Sequence, residues 1–454
     1  MNRAVLLLML VTMAAGDWAV DTALAQVEGL ASRIGGQGDA GYANVRQAPY
    51  SGLGDGKADD TKAFQKALDD VGAAGGGIVF VPTGIYLIAT HLTVPGGTAL
   101  VGVGRAPETF SPKAPGSTLL ALEGAGSTEG TPFITLLGPN STLEGITVFY
   151  PNQIVSEKPV PYPWTVRGGG GGENVSIINV LLTNPYQGVD FATNSTARHF
   201  VRGLYGQPLF KGIWVDQCYD IGRIQDVHFW PFWSQDKRIV DFTTTNGTAY
   251  IFQRTDWEVV EDIFCWGYHV GIEFSASTKG GMNGQMTDID LDNVDIGLDV
   301  NATQPYAVHI SNLNIANAGA GTEHVAIWGR KSSQAAELSV RGASFWGFIK
   351  QVLRWENPGT VSLSDARLIP WNIQRPMMEL LAGGALIHDN FFQPYRQEHI
   401  EDYWYHDPLR ATGNGTAVRI GPGVNNVMLH NNQLNGNRIV NESERGVSLA
   451  NNQP

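Results

Sequence analysis

One pattern recurs in Val260-Glu261-Asp262-Ile263-Phe264-Cys265, Met286-Thr287-Asp288-Ile289-Asp290-Leu291 and Ile310-Ser311-Asn312-Leu313-Asn314-Ile315. In each stretch an Asp or Asn anchor follows an apolar residue by two positions and precedes apolar residues by one and three positions. Alternation on both sides of such an anchor predicts short strands that bend there, because Asn, Asp and Gly tolerate the left-handed backbone of a sharp bend.

The same pattern surrounds nine anchors, which are spaced 23 to 36 residues apart. The shortest spacings suffice for three short strands and their bends, which form one turn in a coil of parallel strands. The longer spacings indicate loops inserted between turns. The sequence therefore predicts an all-β parallel β-helix with regular turns from about residue 78 to about residue 440. The anchors are Gly145, Asn179, Gly203, Asp226, Asp262, Asp288, Asn312, Gly342 and Asp365.

Composition narrows the functional classes. The 454 residues are 43% hydrophobic and 16% charged, which excludes a disordered chain, and their net charge of −13 argues against a nucleic-acid partner. The acidity also disfavours a polyanionic ligand unless a cation mediates its binding. The two cysteines, Cys218 and Cys265, permit one disulfide at most. Because Cys265 falls in an inward position of the pattern, we expect it to be a buried, inert thiol.

Residues 1–25 have the features of an export signal. Arg3 precedes an apolar run over residues 4–15, and Ala23-Leu24-Ala25 is a small-x-small cleavage site. We therefore expect a secreted or periplasmic protein whose residues 26–454 form a single β-helix domain. No later apolar run reaches the ~18 residues of a membrane span, so no membrane partner is expected.

A capping helix is predicted at about residues 60–71, before the first turn of the coil. Apolar residues recur there at helical spacing, and the open end of a β-helix must be covered. Asp59 and Asp60 are interpreted as helix-capping residues rather than as a catalytic pair. Gly72 stands where a C-terminal cap is expected.

Two motifs flank this helix. Gly54-Asp55-Gly56-Lys57-Ala58-Asp59-Asp60-Thr61 precedes it, and Gly75-Gly76-Gly77-Ile78-Val79-Phe80-Val81-Pro82-Thr83-Gly84-Ile85-Tyr86 follows it. Together they resemble the opening of pectate-lyase-superfamily (pectin-lyase-like) proteins, which are distantly related to polygalacturonase-type glycoside hydrolases. The resemblance is specific over about residues 44–104. It implies a single-stranded, right-handed β-helix and a carbohydrate ligand, but it leaves the reaction open.

Several anchors are followed, nine residues later, by a short predicted strand. In each of these strands two apolar residues flank one residue that points outward. This register predicts one exterior column, which is expected to hold closely spaced carboxylates because strands of a sheet lie ~4.8 Å apart. Mutual repulsion would raise the pKa of at least one of them and so supply a proton donor. The alternative is that these outward polar residues are merely solvated. The column is predicted to contain Asp190, Trp214, Asp241, Glu273 and Asp299.

Asp190, Asp241 and Glu273 are the predicted catalytic residues. Neighbouring strands would bring Asp241 and Glu273 near the ~5–5.5 Å separation of retaining glycosidases, whereas Asp190 and Asp241, two strands apart, would suit the ~6.5–9.5 Å of inverting ones. The polygalacturonase-type signatures N-T-D, D-D, G-H-G and R-I-K are absent at the expected turns. No catalytic residue is therefore transferred from that family.

Aromatic and basic residues near the same turns are predicted to bind the sugar. Tryptophans offer flat faces to the C–H surface of sugar rings, although an inserted loop could instead bury its own aromatic residues. The predicted substrate-binding residues, besides Trp214 and Asp299 of the column, are Arg202, Tyr205, Lys211, His228, Trp230, Trp233, Trp266 and His269.

Three functions remain open. The leading one is a glycoside hydrolase without a cofactor, and the next is a polysaccharide lyase in which a calcium ion neutralises a uronate and Lys211 or Arg202 abstracts the proton. The third is a non-catalytic carbohydrate-binding β-helix. A homo-oligomer is possible by analogy. No metal ligands are assigned: the acidic and histidine-containing stretch 397–407 and the pair Asp290 and Asp292 are interpreted as solvated.

Overall fold

The computed structural model describes residues 41–104, 116–171, 173–319, 321–370, 375–393 and 415–454. Within these ranges the strands pair in parallel into a sheet of 20 strands and a sheet of 13 strands. The chain alternates between the two sheets from turn to turn, which is the winding of a parallel β-helix, and right-handed crossovers are the rule for such connections. The predicted fold class is confirmed.

Strands are the main regular elements of the described chain. The 13-stranded sheet consists of β5, β8, β11, β13, β15, β17, β19, β21, β23, β25, β27, β30 and β32, and the remaining strands form the 20-stranded sheet. Their bounds are β1 Tyr42–Asn44, β2 Asp55–Asp59, β3 Gly77–Phe80, β4 Gly84–Ile88, β5 Leu92–Val94, β6 Thr98–Val101, β7 Ser117–Ala121, β8 Ile134–Leu136, β9 Thr142–Glu144, β10 Ile146–Phe149, β11 Trp164–Gly168, β12 Ser176–Leu182, β13 Gln187–Phe191, β14 Phe200–Gly206, β15 Lys211–Val215, β16 Arg223–Phe229, β17 Thr248–Phe252, β18 Glu258–Trp266, β19 Val270–Phe274, β20 Gly284–Asp292, β21 Ile296–Val300, β22 Val308–Asn317, β23 Val325–Gly329, β24 Leu338–Gly347, β25 Gln351–Trp355, β26 Thr360–Pro370, β27 Met378–Leu380, β28 Gly384–His388, β29 Phe391–Phe392, β30 Thr416–Ile420, β31 Val427–His430, β32 Arg438–Asn441 and β33 Val447–Ala450.

Each of the nine predicted anchors lies at a bend. All nine have a left-handed backbone, with φ between 52° for Asn179 and 71° for Gly203. From β12 onward a single strand crosses the bend, so that the 20-stranded sheet has one face before the anchor and another after it. The side chains two before, one after and three after each anchor point into the coil and are buried, as the pattern predicts.

The thiols occupy this buried interior. Cys218 and Cys265 are both buried and neither forms a disulfide. Burial raises the pKa of the Cys265 thiol well above its ordinary value, and the nearby Asp292 adds to this shift. Cys265 is therefore unreactive toward oxidants that need a thiolate, which confirms its predicted role in the core.

A helix, α1, spans Thr61–Ala73 and buries Phe64, Ala67, Leu68 and Val71 against the first strands. Its ends differ from the prediction. Asp60 holds the N-cap position, but its carboxylate accepts hydrogen bonds from the backbone N–H groups of residues 53 and 54, so only Asp59 bonds to the first helical turn. Gly72 lies inside the helix against Pro95 rather than at its end. Coverage of the coil by α1 stays a prediction.

A second helix, α2, spans Lys237–Asn246 within the insertion between β16 and β17. The predicted strand over residues 239–242 is therefore wrong. Asp236 caps the helix by accepting the backbone N–H of Arg238, and Gly247 follows its last residue. A four-residue apolar alternation fits a helix as well as a strand, and the capping residues decide between them.

In the described part of the chain, no helix is long and apolar enough to cross a membrane. The predicted export signal at residues 1–25 and the stretch 397–407 lie outside the described residues. Secretion and the homo-oligomer stay predictions.

Asn312 offers a test of the bends. Replacing it with valine, N312V, should destabilise the protein by about 1–2 kcal/mol, because a β-branched residue is strained at φ 55°. The loss of the hydrogen bond from its amide to Asp288 Oδ1 adds to this cost. The unfolding midpoint in urea measures the effect. N312G should lie much closer to the parent, and equal losses in both variants would contradict the explanation.

Candidate active site

An exterior column of side chains runs along the 13-stranded sheet. Residue-to-residue pairing places Asp190 beside Trp214, Trp214 beside Ile251, Ile251 beside Glu273 and Glu273 beside Asp299. The predicted register is thus correct except for Asp241, whose place Ile251 takes. We call this set the outer column; in order along the sheet it comprises Arg167, Asp190, Trp214, Ile251, Glu273, Asp299, Trp328, Arg354, Glu379 and Arg419.

Asp241 lies on α2, away from the column. Its side chain is 58% exposed and forms an ion pair with Lys237, one helical turn earlier, at 2.6 Å. A pair of this kind is well solvated and contributes little beyond solubility. The structure therefore does not place Asp241 with Glu273.

Asp190 belongs to the column but has no free acceptor position. Its fully buried carboxylate pairs with Arg167 at 2.6 Å and accepts hydrogen bonds from the backbone N–H groups of Ala192 and Thr193 and from the Thr193 hydroxyl. It is also three strand spacings from Glu273, or about 14 Å. The structure therefore does not bring the three predicted catalytic residues together, and the Asp190 carboxylate is engaged by Arg167 and its own loop.

Glu273 ends a chain of directed hydrogen bonds. The Trp214 indole N–H donates to Gln253 Oε1 at 3.0 Å, Gln253 Nε2 donates to Ser275 Oγ at 3.3 Å, and the Ser275 hydroxyl donates to Glu273 Oε1 at 2.7 Å. Since Oε1 already accepts a proton, a proton on this carboxyl group sits on Oε2. The chain fixes the side chain and orients its free oxygen.

The environment favours the protonated form of Glu273. Burial raises the pKa of its carboxyl group, and the charge of Asp299 on the next strand raises it further. The Ser275 hydrogen bond and the cations Lys211 and Arg330 oppose this shift without reversing it. A carboxyl group of this kind can act as a general acid nearer neutrality than an ordinary glutamate.

Asp299 is bound by a cation. Arg330 binds it with two parallel hydrogen bonds, Nε to Oδ1 at 2.8 Å and Nη2 to Oδ2 at 2.9 Å, and Asn301 donates to Oδ1 at 3.2 Å. Such bidentate pairing stabilises the ionised carboxylate. Glu273 and Asp299 are thus neighbouring carboxyl groups with different surroundings, because Glu273 has a raised pKa and Asp299 is paired with an arginine.

Aromatic and cationic groups flank this pair on both sides. Toward β13, the Lys211 ammonium lies 5.4 Å from the Trp214 ring centroid, and Trp164 stacks on Trp214 at 6.0 Å. Toward β25, the Arg330 guanidinium lies 3.5 Å from the Trp328 ring centroid. The outer column therefore presents indole faces and cations on either side of two carboxyl groups.

Sequence reasoning missed Arg167, Trp328 and Arg354. Their strands, such as Val325-Ala326-Ile327-Trp328-Gly329, have the same apolar-outward-apolar order as the predicted ones. They lack the glycine that precedes the order in the predicted strands, and their outward residues lie 22, 16 and 12 residues after the preceding anchors instead of 11, so only a search that relaxed both conditions would have found them. Arg330 follows the strand and has no comparable signal.

Most of the predicted aromatic binders lie on another face. Residues two and four positions after an anchor belong to the 20-stranded sheet beyond the bend. There His228 stacks between Tyr205 and Phe264, with centroids 5.4 and 4.5 Å away, and Trp230 packs 5.6 Å from Trp266. These residues form a separate aromatic cluster and do not join the outer column.

The other predicted binders also separate. Arg202 lies before the bend on β14 and is exposed, while Trp233 follows β16 and is held through its backbone N–H by Gln207. His269 precedes β19, where its Nδ1 lies 3.0 Å from Asp295 Oδ2, a nearly buried carboxylate that orients the ring. Of the predicted substrate-binding residues, only Trp214, Lys211 and Asp299 therefore lie on the strands of the outer column.

Asp290 and Asp292 on β20 are interpreted from the sequence as solvated, but both are partly buried. Asp290 accepts a hydrogen bond from the Asn314 amide at 2.7 Å, within a stack of polar side chains on successive strands. Burial raises the pKa of Asp292, with a smaller contribution from Asp290.

This chain is similar to several known proteins. The mannuronan C5-epimerase AlgE3 of Azotobacter vinelandii is a curated relative that is 40% identical over 62 residues, which is 12% of this chain and 3% of the epimerase. The bacteriophage Phi29 gene product 12 N-terminal fragment is 14% identical over 90% of this chain and 71% of its own, with a TM-score of 0.57. PfbA, a surface adhesin of Streptococcus pneumoniae, is 14% identical over 88% of this chain and 91% of its own, with a TM-score of 0.50. At these identities the structural matches show the fold alone.

A family model covers more of the chain than the curated relative does. It matches residues 42–273, from β1 to Glu273. This range includes α1, the glycine motifs on either side of it, and the outer column as far as Glu273. The chain belongs to the rhamnogalacturonase A/epimerase, pectate lyase-like family.

Proposed function

We propose that this protein is a glycoside hydrolase that cleaves a polysaccharide or oligosaccharide in the groove along the outer column. Membership of the family makes it a carbohydrate-active β-helix protein. The observation that carries the finer proposal is the pairing of Glu273, whose pKa is raised, with Asp299, which Arg330 binds through two hydrogen bonds, on adjacent strands.

Glu273 is the proposed general acid. Its Oε2 would donate a proton to the glycosidic oxygen as the bond to the ring carbon breaks, and the Ser275 hydroxyl on Oε1 would stabilise the carboxylate that remains. The Gln253–Trp214 part of the hydrogen-bond chain keeps Ser275 in the donor orientation. Proton donation of this type contributes ~10²–10⁴-fold to rate.

Asp299 is the proposed second carboxylate. The adjacent strands lie ~4.8 Å apart, which is closer to the ~5–5.5 Å between the carboxyl groups of retaining glycosidases than to the ~6.5–9.5 Å of inverting ones. Its negative charge would stabilise the positive charge that develops on the sugar ring carbon. After burial, the same charge contributes to the raised pKa of Glu273, so the two roles depend on each other.

A panel of neutral and uronate-containing polysaccharides tests the proposal, because each candidate reaction leaves its own product. Hydrolysis produces new reducing ends without ultraviolet absorbance, and this is the expected result. Binding without any product would support the non-catalytic alternative and overturn the proposal. Stereochemistry at the new reducing end, followed by NMR during the first minutes, then tests the role of Asp299.

A lyase or epimerase is the second candidate, and the cations Lys211 and Arg330 beside Glu273 favour it. They could neutralise the carboxylate of a uronate, as both reactions require. A lyase leaves an unsaturated, ultraviolet-absorbing end, whereas an epimerase changes the NMR signals of sugar residues without shortening the chain. A loss of activity in a chelator would further indicate a calcium-dependent lyase.

Trp214 is expected to hold a sugar ring beside Glu273. Replacing it with alanine, W214A, should raise KM about 5- to 30-fold, because an aromatic contact is worth ~1–2 kcal/mol. W346A is the matched control: Trp346 is 42% exposed on the 20-stranded sheet, away from the outer column. Steady-state kinetics on the substrate found in the panel measures both, and an equal rise in KM would contradict the assignment.

A further inference from the structure

Three metal-binding side chains meet inside the coil, apart from the outer column. His199 lies between β13 and β14, Cys218 lies between β15 and β16, and Glu258 begins β18. Although these residues are distant in sequence, they come from three successive turns of the coil. All three are fully buried, and their imidazole nitrogen, sulfur and carboxylate oxygen atoms lie within 4.8 Å of one another.

The hydrogen bonds around His199 determine where its proton lies. Its Nδ1 faces the carbonyl oxygen of Thr196 at 3.0 Å, and a carbonyl only accepts, so Nδ1 carries a hydrogen. Its Nε2 faces Glu258 Oε1 at 2.8 Å. The Thr255 hydroxyl donates to the other oxygen of Glu258. A nitrogen lone pair would therefore face a carboxylate oxygen unless a proton or a metal cation lies between them.

We propose that His199, Cys218 and Glu258 form a zinc site and supply three of the four ligands that zinc usually takes in proteins. A divalent cation would bind Nε2 of His199, Sγ of Cys218 and a carboxylate oxygen of Glu258. It would displace two protons, the one shared between the imidazole and the carboxylate and the one on the thiol, which now points to the carbonyl oxygen of Asp220. One Zn²⁺ in exchange for two protons leaves the site neutral before and after, as a fully buried site requires.

The donor set suits zinc better than calcium or magnesium. Thiolate and imidazole are ligands of zinc and related transition metals, whereas calcium and magnesium prefer oxygen alone. The bond from Nδ1 to the Thr196 carbonyl is the second-shell contact that leaves Nε2 of a histidine free for a metal. Zinc bonds of ~2.0–2.3 Å put neighbouring ligand atoms about 3.3–3.7 Å apart, so His199 and Glu258 would separate by roughly half an ångström.

The backbone at Gly222 packs closely against two members of this cluster. A Cβ atom on Gly222 would lie 2.2 Å from Cε1 of His199 and 2.5 Å from Oε2 of Glu258. An isolated bridge also pairs Cys218 with Thr255, next to the loop that precedes Glu258. A metal here would cross-link three turns on the side of the coil that leads from the outer column to the 20-stranded sheet.

Metal analysis of the full chain, refolded with Zn²⁺ and then dialysed, tests the proposal. We expect about one zinc per chain, which C218S abolishes and C265S retains. Cys265 is the matched control because it is equally buried and lies outside the cluster. The thermal midpoint of the parent should fall when the protein is refolded in chelator, and that of C218S should not respond to zinc.

A second measurement keeps the test valid if C218S fails to fold. The unmodified protein, refolded with Co²⁺, should show the ultraviolet thiolate-to-cobalt absorption of a cysteine ligand. Less than about a tenth of a zinc per chain together with no such band would overturn the proposal, and the cluster would then be a proton-sharing His199–Glu258 pair. Equal zinc content in C218S and the parent would also overturn it, because Cys218 would not be a ligand.

Discussion

The variant E273Q is expected to lower kcat by about 100- to 10,000-fold while leaving the thermal midpoint nearly unchanged. The amide keeps the shape of the side chain and can still accept the Ser275 hydroxyl, but it has no proton to donate to a leaving oxygen. Kinetics on the substrate identified in the polysaccharide panel measures the loss. D241N is the matched control, because Asp241 is a solvated carboxylate on α2, and it should retain full activity.

The pH dependence of E273Q provides an independent check. Because burial and the charge of Asp299 raise the pKa of Glu273, its protonated form persists to higher pH than that of an ordinary glutamate and is lost as pH rises through that pKa. The parent should therefore lose kcat/KM on the basic side of its profile, and the residual activity of E273Q should lack this limb. Full activity in E273Q, or an unchanged basic limb, would remove Glu273 as the acid.

The register of the fold could be predicted because it depends on local chemistry. Every anchor needs a residue that accepts a left-handed backbone, and every strand beside it needs alternating apolar side chains, so both requirements appear directly in the sequence. The same register correctly aligned Asp190, Trp214, Glu273 and Asp299 on one column. A position on the column, however, says nothing about the partners of a side chain.

Whether a side chain on the outer column is available for chemistry depends on its hydrogen-bond and ion-pair partners. These partners come from other turns of the coil. Arg167 precedes Asp190 by one turn, and Arg330 follows Asp299 by one turn. No spacing rule links such pairs, since the loops between turns vary in length. The aromatic residues two and four positions after an anchor lie on a different face from the outer column. Positions just after an anchor belong to the 20-stranded sheet, whereas positions about nine residues further on belong to the 13-stranded sheet. Asp241 lies on a helix instead of a strand because Asp236 caps that helix, and a short apolar alternation does not distinguish the two.

Asp190 provides the second large effect, on stability rather than on chemistry. The variant D190A should destabilise the protein by about 3–5 kcal/mol, because it removes one partner of a buried ion pair and leaves Arg167 without its carboxylate. It also leaves the backbone N–H groups of Ala192 and Thr193 without their acceptor, and buried donors without partners are costly. Thermal and urea unfolding midpoints measure the loss. D190N should lose less, since its amide oxygen can still accept these two bonds.

Activity separates a structural role for Asp190 from a catalytic one. If Asp190 only holds the chain, D190N assayed well below its unfolding midpoint should keep kcat within a few-fold of the parent, because the general acid Glu273 lies about 14 Å away along the column. D241A is the matched stability control and should not move the midpoint measurably, since its ion pair with Lys237 is exposed to solvent. A folded D190N with a kcat as low as that of E273Q would instead place Asp190 in the chemistry, and the reacting sugar would then have to lie nearer to β13 than to β19.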